Sequence, residues 1–405
     1  MTDARVDFPV LEHEVLTWSP SNPDLFSRRE VERQSGDYRA AVTPAMAEWS
    51  MDVPAPLLAD VEDATRELAR MDGYASGALG MGVSGPMPSI LLRSESASSS
   101  QIEQLTTSAL QLAMAAIDES TKANAAAVLG NVLAMQAAIG GRAPVSTETL
   151  LEMHRLLFSE SRSMTEEAGR FRRQQVWIGP GTGGPRLADF VPPRHQRIPE
   201  AISDLMTFIG REDLPVLIQA AVAHAQFETI HPFTDGNGRT GRALIHAILK
   251  DKGLVTDSVV PLSAGLLSDV ETYFAALDAF RSGDAGPIIA RFAGAARFAG
   301  LAGRKLMDDL AATMGGLEAK LEGVRSDSSA WRLLRLLISQ PVVNLRFVTE
   351  ALSTNDMTAL RALETLRQRD ILRESTGRRR NRIWRQPDVL GVLDSFAEVI
   401  RRSSN

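Results

Sequence analysis

The stretch His231-Pro232-Phe233-Thr234-Asp235-Gly236-Asn237-Gly238-Arg239-Thr240-Gly241-Arg242 dictates a local structure more tightly than any other part of the chain. Glycines at 236 and 238 let the backbone turn sharply with no Cβ in the way. Successive N–H groups then point into one concavity, an anion nest. Arg239 to Lys250 carry a helical pattern, so the nest sits on a helix N-terminus, where the dipole also favours negative charge. Arg239 and Arg242 are three apart and share a helical face. Arginine binds phosphate oxygens in a fork and stays charged. The Asn237 side chain can add an amide donor. Asp235 precedes the nest, where a carboxylate can hold Mg²⁺ beside bound phosphate or simply cap the helix. His231, one of six histidines, can take a proton near neutral pH. Phe233 is expected to anchor the loop on the core.

Alone, a Gly-x-Gly is an ordinary turn and an arginine pair an ordinary solvated face. Together in twelve residues they describe a polyphosphate site with a base beside it.

The rest of the composition bounds the setting. A chain of 405 residues suggests two or three domains. Hydrophobic residues are 44% but aromatics only 5%, which leans towards helix. There is no cysteine, hence no disulfide framework and no thiolate metal site. The first residues lack the basic and apolar regions of a signal peptide, and no apolar run approaches the roughly 20 residues needed to cross a bilayer. A soluble cytoplasmic protein without membrane contact is the expectation. The net charge of −6 hides an asymmetry: residues 327–405 hold fourteen arginines against nine carboxylates. A basic tail on an acidic body suggests a nucleic-acid surface at the C-terminus.

Along the chain, residues 1–50 read as a partly ordered arm. Apolar spacing predicts a helix over 55–72, then a loop over 72–89, then a helix running past Ser108 and one or two more by Gly140-Gly141. Residues 146–159 form a helix that Ser146 can cap. Residues 174–193 read as an irregular hairpin with a turn cluster at 180–185. Helices follow at about 198–211, 213–228, 239–252, 268–282 and 286–315. From 326, helices at 329–339, 345–352 and 356–369 precede two strands flanking Gly377-Arg378-Arg379-Arg380-Asn381, the pattern of a winged helix-turn-helix.

Residues 231–242 resemble the Fic-family motif, His-x-Phe-x-(Asp/Glu)-Gly-Asn-Gly-Arg-x-x-Arg, at every defined position. Gly169-Arg170-Phe171-Arg172, Val176-Trp177-Ile178-Gly179 and Val191-Pro192-Pro193 resemble the approach and flap of Fic proteins, and residues 55–325 are covered in recognisable order. The resemblance implies a mainly α fold: a Fic-type helical core with a short β-hairpin flap, an N-terminal helical region and a C-terminal winged helix-turn-helix. The expected division is an arm at 1–50, a helical region at 51–115, a catalytic core at 116–325 and the winged helix at 326–405.

The resemblance also implies an activity, transfer of AMP from ATP to a Tyr, Ser or Thr hydroxyl of a target protein or of the chain itself. His231 would be the general base, Asp235 would hold Mg²⁺, and Gly236, Asn237, Gly238, Arg239, Thr240, Gly241 and Arg242 would bind the triphosphate. The flap, Val176, Trp177, Ile178 and Gly179, would pair with a strand-like piece of the target by β-augmentation. Candidates for the adenine pocket lie at 263–273 by order along the chain. Many Fic proteins carry an inhibitory (Ser/Thr)-x-x-x-Glu-(Gly/Asn) motif; Ser99 and Glu103 fit it, and Gln104 departs at the last position. A Glu103 carboxylate on Arg242 would occupy the arginine meant for the γ-phosphate. A homodimer is a further implied partner. Removal of AMP, transfer of a terminal phosphate, and a nucleotide-sensing regulator that binds DNA through the winged helix remain open alternatives.

Overall fold

The computed structural model describes residues 5–20, 22–78, 87–141, 144–161, 164–179, 184–256, 258–375 and 381–403. Three expected features fall outside them: positions 180–183 of the turn cluster, most of the loop before Pro88, and wing positions 376–380 with Arg378, Arg379 and Arg380. In chain order the described elements are β1 (Glu12–Trp18), α1 (Arg28–Gln34), β2 (Gly36–Val42), α2 (Ala55–Ala78), α3 (Met87–Ile102), α4 (Ala109–Ala115), α5 (Ala123–Gly140) and α6 (Thr147–Leu157). Then come α7 (Ile198–Ile209), α8 (Val216–Ile230), α9 (Asn237–Asp251), α10 (Leu262–Leu267), α11 (Val270–Arg281) and α12 (Gly286–Ala319). The chain closes with α13 (Ser329–Ser339), β3 (Val342–Asn344), α14 (Leu345–Ala351), α15 (Asp356–Gln368), β4 (Arg373–Glu374), β5 (Ile383–Arg385) and α16 (Pro387–Ser403). The fold is mainly helical, as composition predicts.

The chain divides into two compact units. The first comprises Met1–Glu62, Ala137–Lys252 and Glu271–Ala293; the second comprises Asp63–Gln136, Gly253–Val270 and Gly294–Asn405. The stretch 116–325, expected to be one core, is thus shared between them.

In the first unit α8 is the centre: every residue from Leu217 to Ile230 is buried. A helix buried on all sides has no solvent face and must be wrapped by others. On it pack α7, through Ile202, Leu205 and Phe208, and α9. Helix α6 packs on α9 and is capped as expected, the Ser146 hydroxyl accepting the Thr149 N–H at 3.3 Å.

Residues 1–50, expected as a partly ordered arm, contain two strands. These, β1 and β2, pair antiparallel in the register Glu12↔Val42 to Trp18↔Gly36. Strand β2 alternates, with Tyr38 and Ala40 buried and Asp37 and Arg39 exposed, the signature of a half-buried strand. That period-2 signal is short and sits among prolines, which masks it in the sequence.

In the second unit, α3 stops at Ile102 instead of running past Ser108, and Ser108 caps a new helix by accepting the Gln111 N–H. The helix α10, the strand β3 and the helix α16 add to what periodicity predicted. Helix α10 lies so close to the backbone of Ala295 that a Cβ at Gly265 would collide with it. Helix α5 is, among the described residues, the one helix long and apolar enough to cross a membrane by length and composition; 44% of it is buried. Its Asn131 is fully buried and donates to the Ser96 carbonyl at 3.0 Å. At the C-terminal end Asn344 and Asn355 cap α14 and α15, each accepting a backbone N–H at 2.9 Å. A small sheet of order β3-β5-β4 follows.

Candidate active site

The site is built where α8 ends and α9 begins. His231 terminates α8 in the left-handed conformation, φ 49° and ψ 60°, with its N–H still bonded to the Phe227 carbonyl at 2.9 Å. Such a conformation costs a non-glycine residue on the order of 1 kcal/mol and collects at functional sites. Its ring keeps a side-chain exposure of 19%, and Nδ1 lies 4.0 Å from the Glu228 carboxylate.

Five residues on, Gly236 starts α9 with φ 77°. A Cβ there would stand 2.8 Å from both Leu157 and the Phe158 ring, so glycine is required twice over, by torsion and by space. The Asp235 carboxylate accepts the Gly236 N–H and has a side-chain exposure of 62%; its Oδ1 stands 3.9 Å from Arg239. Arg239 and Arg242 are not a solvated face: both are buried, and Arg242 is among the largest fully buried side chains. The Arg239 guanidinium lies 5.4 Å from the Phe158 ring centroid. Thr240 is fully buried as well. Gly241 lets α9 approach α8, since a Cβ would meet Glu228 and Phe227 at 2.9 Å and His224 at 3.1 Å.

Asn237 has a different task from the one its sequence position suggested. Its amide accepts from the Phe233 N–H and donates to the Phe233 carbonyl, both at 2.9 Å. With its carbonyl oxygen and an amide N–H both on Phe233, the side chain braces the loop. Phe233 is the fully buried anchor expected.

Two residues that support the site were not singled out from sequence, and a third, Arg172, was read there only as part of the approach motif. The His154 ring stacks on Phe233 at 3.7 Å between centroids. Its Nδ1 accepts the Gly169 N–H at 2.8 Å, which leaves the proton on Nε2 to donate to the Asp235 carbonyl at 3.0 Å. Burial lowers its pKa to about 4, so it stays neutral and keeps that tautomer. His224, fully buried on α8, shares a 2.7 Å hydrogen bond with the Tyr273 hydroxyl; burial and then the Arg242 charge lower its pKa to about 3.

Arg172 is the third. Its backbone N–H donates to the Pro232 carbonyl at 3.0 Å and its Nε to the His231 carbonyl at 2.9 Å. Nη1 reaches the Gln174 carbonyl at 2.9 Å, and Nη2 the Pro193 carbonyl. One side chain therefore ties the histidine loop to both ends of the flap. Burial lowers its pKa to about 10, which leaves it charged at neutral pH.

The flap is not a regular hairpin. One antiparallel bridge, Ile178 with Phe190, closes it, with N–H to carbonyl bonds of 2.8 and 3.1 Å. Gly179 has φ 126°, and a Cβ there would stand 2.7 Å from the Asp189 nitrogen. The N-terminal strands support it: Trp177 meets Trp18 edge-on at 5.3 Å, and the Ala41 N–H donates to the Val191 carbonyl at 2.9 Å. The Arg281 guanidinium lies 4.1 Å from the Phe190 ring centroid and completes the support. Val176, Trp177 and Ile178 are half-buried.

In the second unit, Ser99 is fully buried on α3, and Glu103 lies exposed in the turn after it. Gln104 adopts φ 61°, with the Leu105 N–H returning to the Ser100 carbonyl at 3.0 Å. That is a left-handed helix end, which Gly or Asn would fill with least strain. The departure at 104 thus leaves the turn in place. Farther on, the charges of the basic tail are partly spent locally. Arg367 pairs with Glu364 at 2.7 Å, pulling that carboxylate down to about 2, and Arg382 pairs with Glu374.

The two depressed histidines set a pH dependence. A histidine whose folded pKa lies below its unfolded value is held neutral by folding, so the unfolded chain takes up the proton first as pH falls. Stability is then full above the ordinary value of 6.5 and is lost as pH drops towards about 4 for His154 and about 3 for His224. Within that window each histidine contributes about 1.4 kcal/mol per pH unit. Urea midpoints measured from pH 7.5 to 5 are expected to fall steadily below 6.5, with a shallower fall in His154→Gln. A flat profile contradicts the assignment.

Residues 144–249 match the family model described as Fic/DOC family. The chain is 30% identical over 151 residues to protein adenylyltransferase fic-1 of Caenorhabditis elegans, a match covering 36% of this chain and 26% of that protein. It is 30% identical over 148 residues to protein adenylyltransferase Fic of Nematostella vectensis, covering 36% and 31%. The match thus spans between a quarter and a third of these relatives' length. Among solved structures, a Fic family protein of Desulfovibrio desulfuricans G20 is similar at 23% identity and a TM-score of 0.49, covering 80% of this chain and 95% of that one. A fragment of Fic-1 from C. elegans aligns at 22% identity and a TM-score of 0.47, covering 62% and 74%. Through residues 144–249, which hold the histidine loop, the flap and both arginines, this chain carries a Fic/DOC-family domain.

Proposed function

We propose that this site transfers AMP from ATP to a hydroxyl of a target protein. The observation that carries the reading is the His231–Arg242 loop. It joins a histidine in a strained, partly exposed turn to a glycine-built helix start with two arginines on one face. The target hydroxyl oxygen attacks the α-phosphorus and the bond to the bridging oxygen breaks. Pyrophosphate leaves, and His231 takes the hydroxyl proton. The nest at Gly236–Gly238, Arg239 and Arg242 take up the negative charge that grows on the leaving group. Mg²⁺ fits beside them, because it needs one or two carboxylates plus phosphate oxygens, and Asp235 offers an exposed carboxylate at the nest. When bound it would neutralise phosphate charge there. The flap backbone would align the target, with Arg172 and the N-terminal strands holding it in register.

Glu103 is proposed as a brake that competes with the γ-phosphate for Arg242. The buried Ser99, the left-handed end at Gln104 and the exposed position of Glu103 support the reading that 99–104 form the family's inhibitory turn. The test is Glu103→Gly with ATP labelled at the α-phosphate and cell lysate. Losing a competing charge pair worth a few kcal/mol raises labelling on the order of 10²-fold. Labelling no faster than wild type removes the brake while leaving the transfer reading intact.

A further inference from the structure

The second unit holds a cavity for which the transfer reaction has no use. It is bounded by α3, α4, α13 and α16. Its walls are largely carbon, from Ile90, Leu112, Leu393, Phe396 and Ile400. One cation enters it, Arg93 of α3.

Arg93 is held by a neutral group. Its Nη2 donates to Oε1 of Gln340 at 2.7 Å, and no described carboxylate pairs with it. Gln340 is itself buried, its amide nitrogen donating to the Ala113 and Val342 carbonyls, which fixes Oε1 towards Arg93. Burial lowers the Arg93 pKa to about 10, so the charge persists at neutral pH. The one acid on the described lining, Asp394, is exposed and accepts the Ala109 N–H at 3.3 Å. A half-buried cation without a counter-charge carries a desolvation cost, and a bound anion relieves it. An apolar chamber with one fixed cation selects a ligand that is apolar at one end and anionic at the other.

We propose that this cavity binds a small amphipathic carboxylate, its head on the Arg93 guanidinium and its tail against Leu112, Leu393 and Phe396. Ala97, Ser98 and Gln101 of α3 also line the chamber. An occupant therefore bears directly on the helix that ends in the Ser99–Glu103 turn.

Octanoate, below its micellar range, is the probe, titrated calorimetrically into the full chain, with octyltrimethylammonium as the control of opposite charge. Saturable one-to-one binding of octanoate and none of the ammonium is the expected result. Arg93→Gln is expected to weaken it about tenfold, the size of one charge-assisted contact. Ala97→Trp, which fills the chamber without touching the charge, is expected to abolish it, and serves alone if the arginine variant melts early. No saturable binding, equal binding of the ammonium, or binding untouched by Ala97→Trp overturns the proposal, as does unchanged affinity in a folded Arg93→Gln.

Discussion

His231→Ala is expected to lower AMP transfer by about 10²–10⁴-fold, the usual contribution of a positioned general base. The loop should survive the change. What fixes it is backbone and neighbours: the Phe227 carbonyl on the His231 N–H, Arg172 on the His231 carbonyl, Asn237 across Phe233, and His154 beneath. The arginines and the nest are untouched, so ATP affinity should hold while turnover falls. Alanine also removes a side chain held 4.0 Å from Glu228 without opening a core cavity, because the ring is partly exposed. Initial rates with α-labelled ATP, beside binding of a fluorescent ATP analogue, separate the two effects. A rate within about threefold of wild type would show that no proton passes through this ring.

Arg172→Met is expected to be nearly as damaging by a different route. Arg172 is a positioning residue. Methionine keeps the packing volume and the backbone N–H to Pro232 but removes the donors to the His231, Gln174 and Pro193 carbonyls. Each buried carbonyl left without a partner costs about 1–3 kcal/mol. The flap and the histidine loop then lose their shared tie, and misplacement by about 1 Å can lower a rate on the order of 10²-fold. The split between parameters is diagnostic: kcat falls while KM for ATP changes little, because none of these Arg172 bonds goes to residues 236–242. Lysine should not rescue, since one ammonium cannot reach three carbonyls in fixed directions. A variant with a lowered melting temperature but unchanged kcat would make Arg172 a purely structural residue.

The chemistry-bearing loop was legible because its constraints are local. Gly236 favours glycine through its left-handed torsion, which arises within the loop itself, and the helix after it follows from ordinary periodicity. Long amphipathic or apolar helices such as α6 to α9 were readable for the same reason. What escaped depends on partners distant in sequence. His154 looks like one more residue of an apolar helix until folding brings it under Asp235. Arg172 sits in a polar, basic run where nothing marks it as buried. Asn237 beside two glycines suggests an anion ligand, and only the loop's closure shows its amide engaged with Phe233. The N-terminal strands are short, and their purpose, holding Trp177 and Val191, is set by tertiary contacts. Helix α3 ends at Ile102 because Gln104 turns left-handed, a conformation that glutamine does not announce.

The most direct test of the central claim uses two preparations of ATP, labelled at the α- or the γ-phosphate, with the wild-type chain, Glu103→Gly and His231→Ala. Adenylyl transfer predicts α-label on protein from wild type, more from Glu103→Gly and about 10²–10⁴-fold less from His231→Ala, with γ-label released as pyrophosphate in step with each. Label from the γ-phosphate retained on protein, or α-label transferred by His231→Ala within about threefold of the wild-type rate, would contradict it.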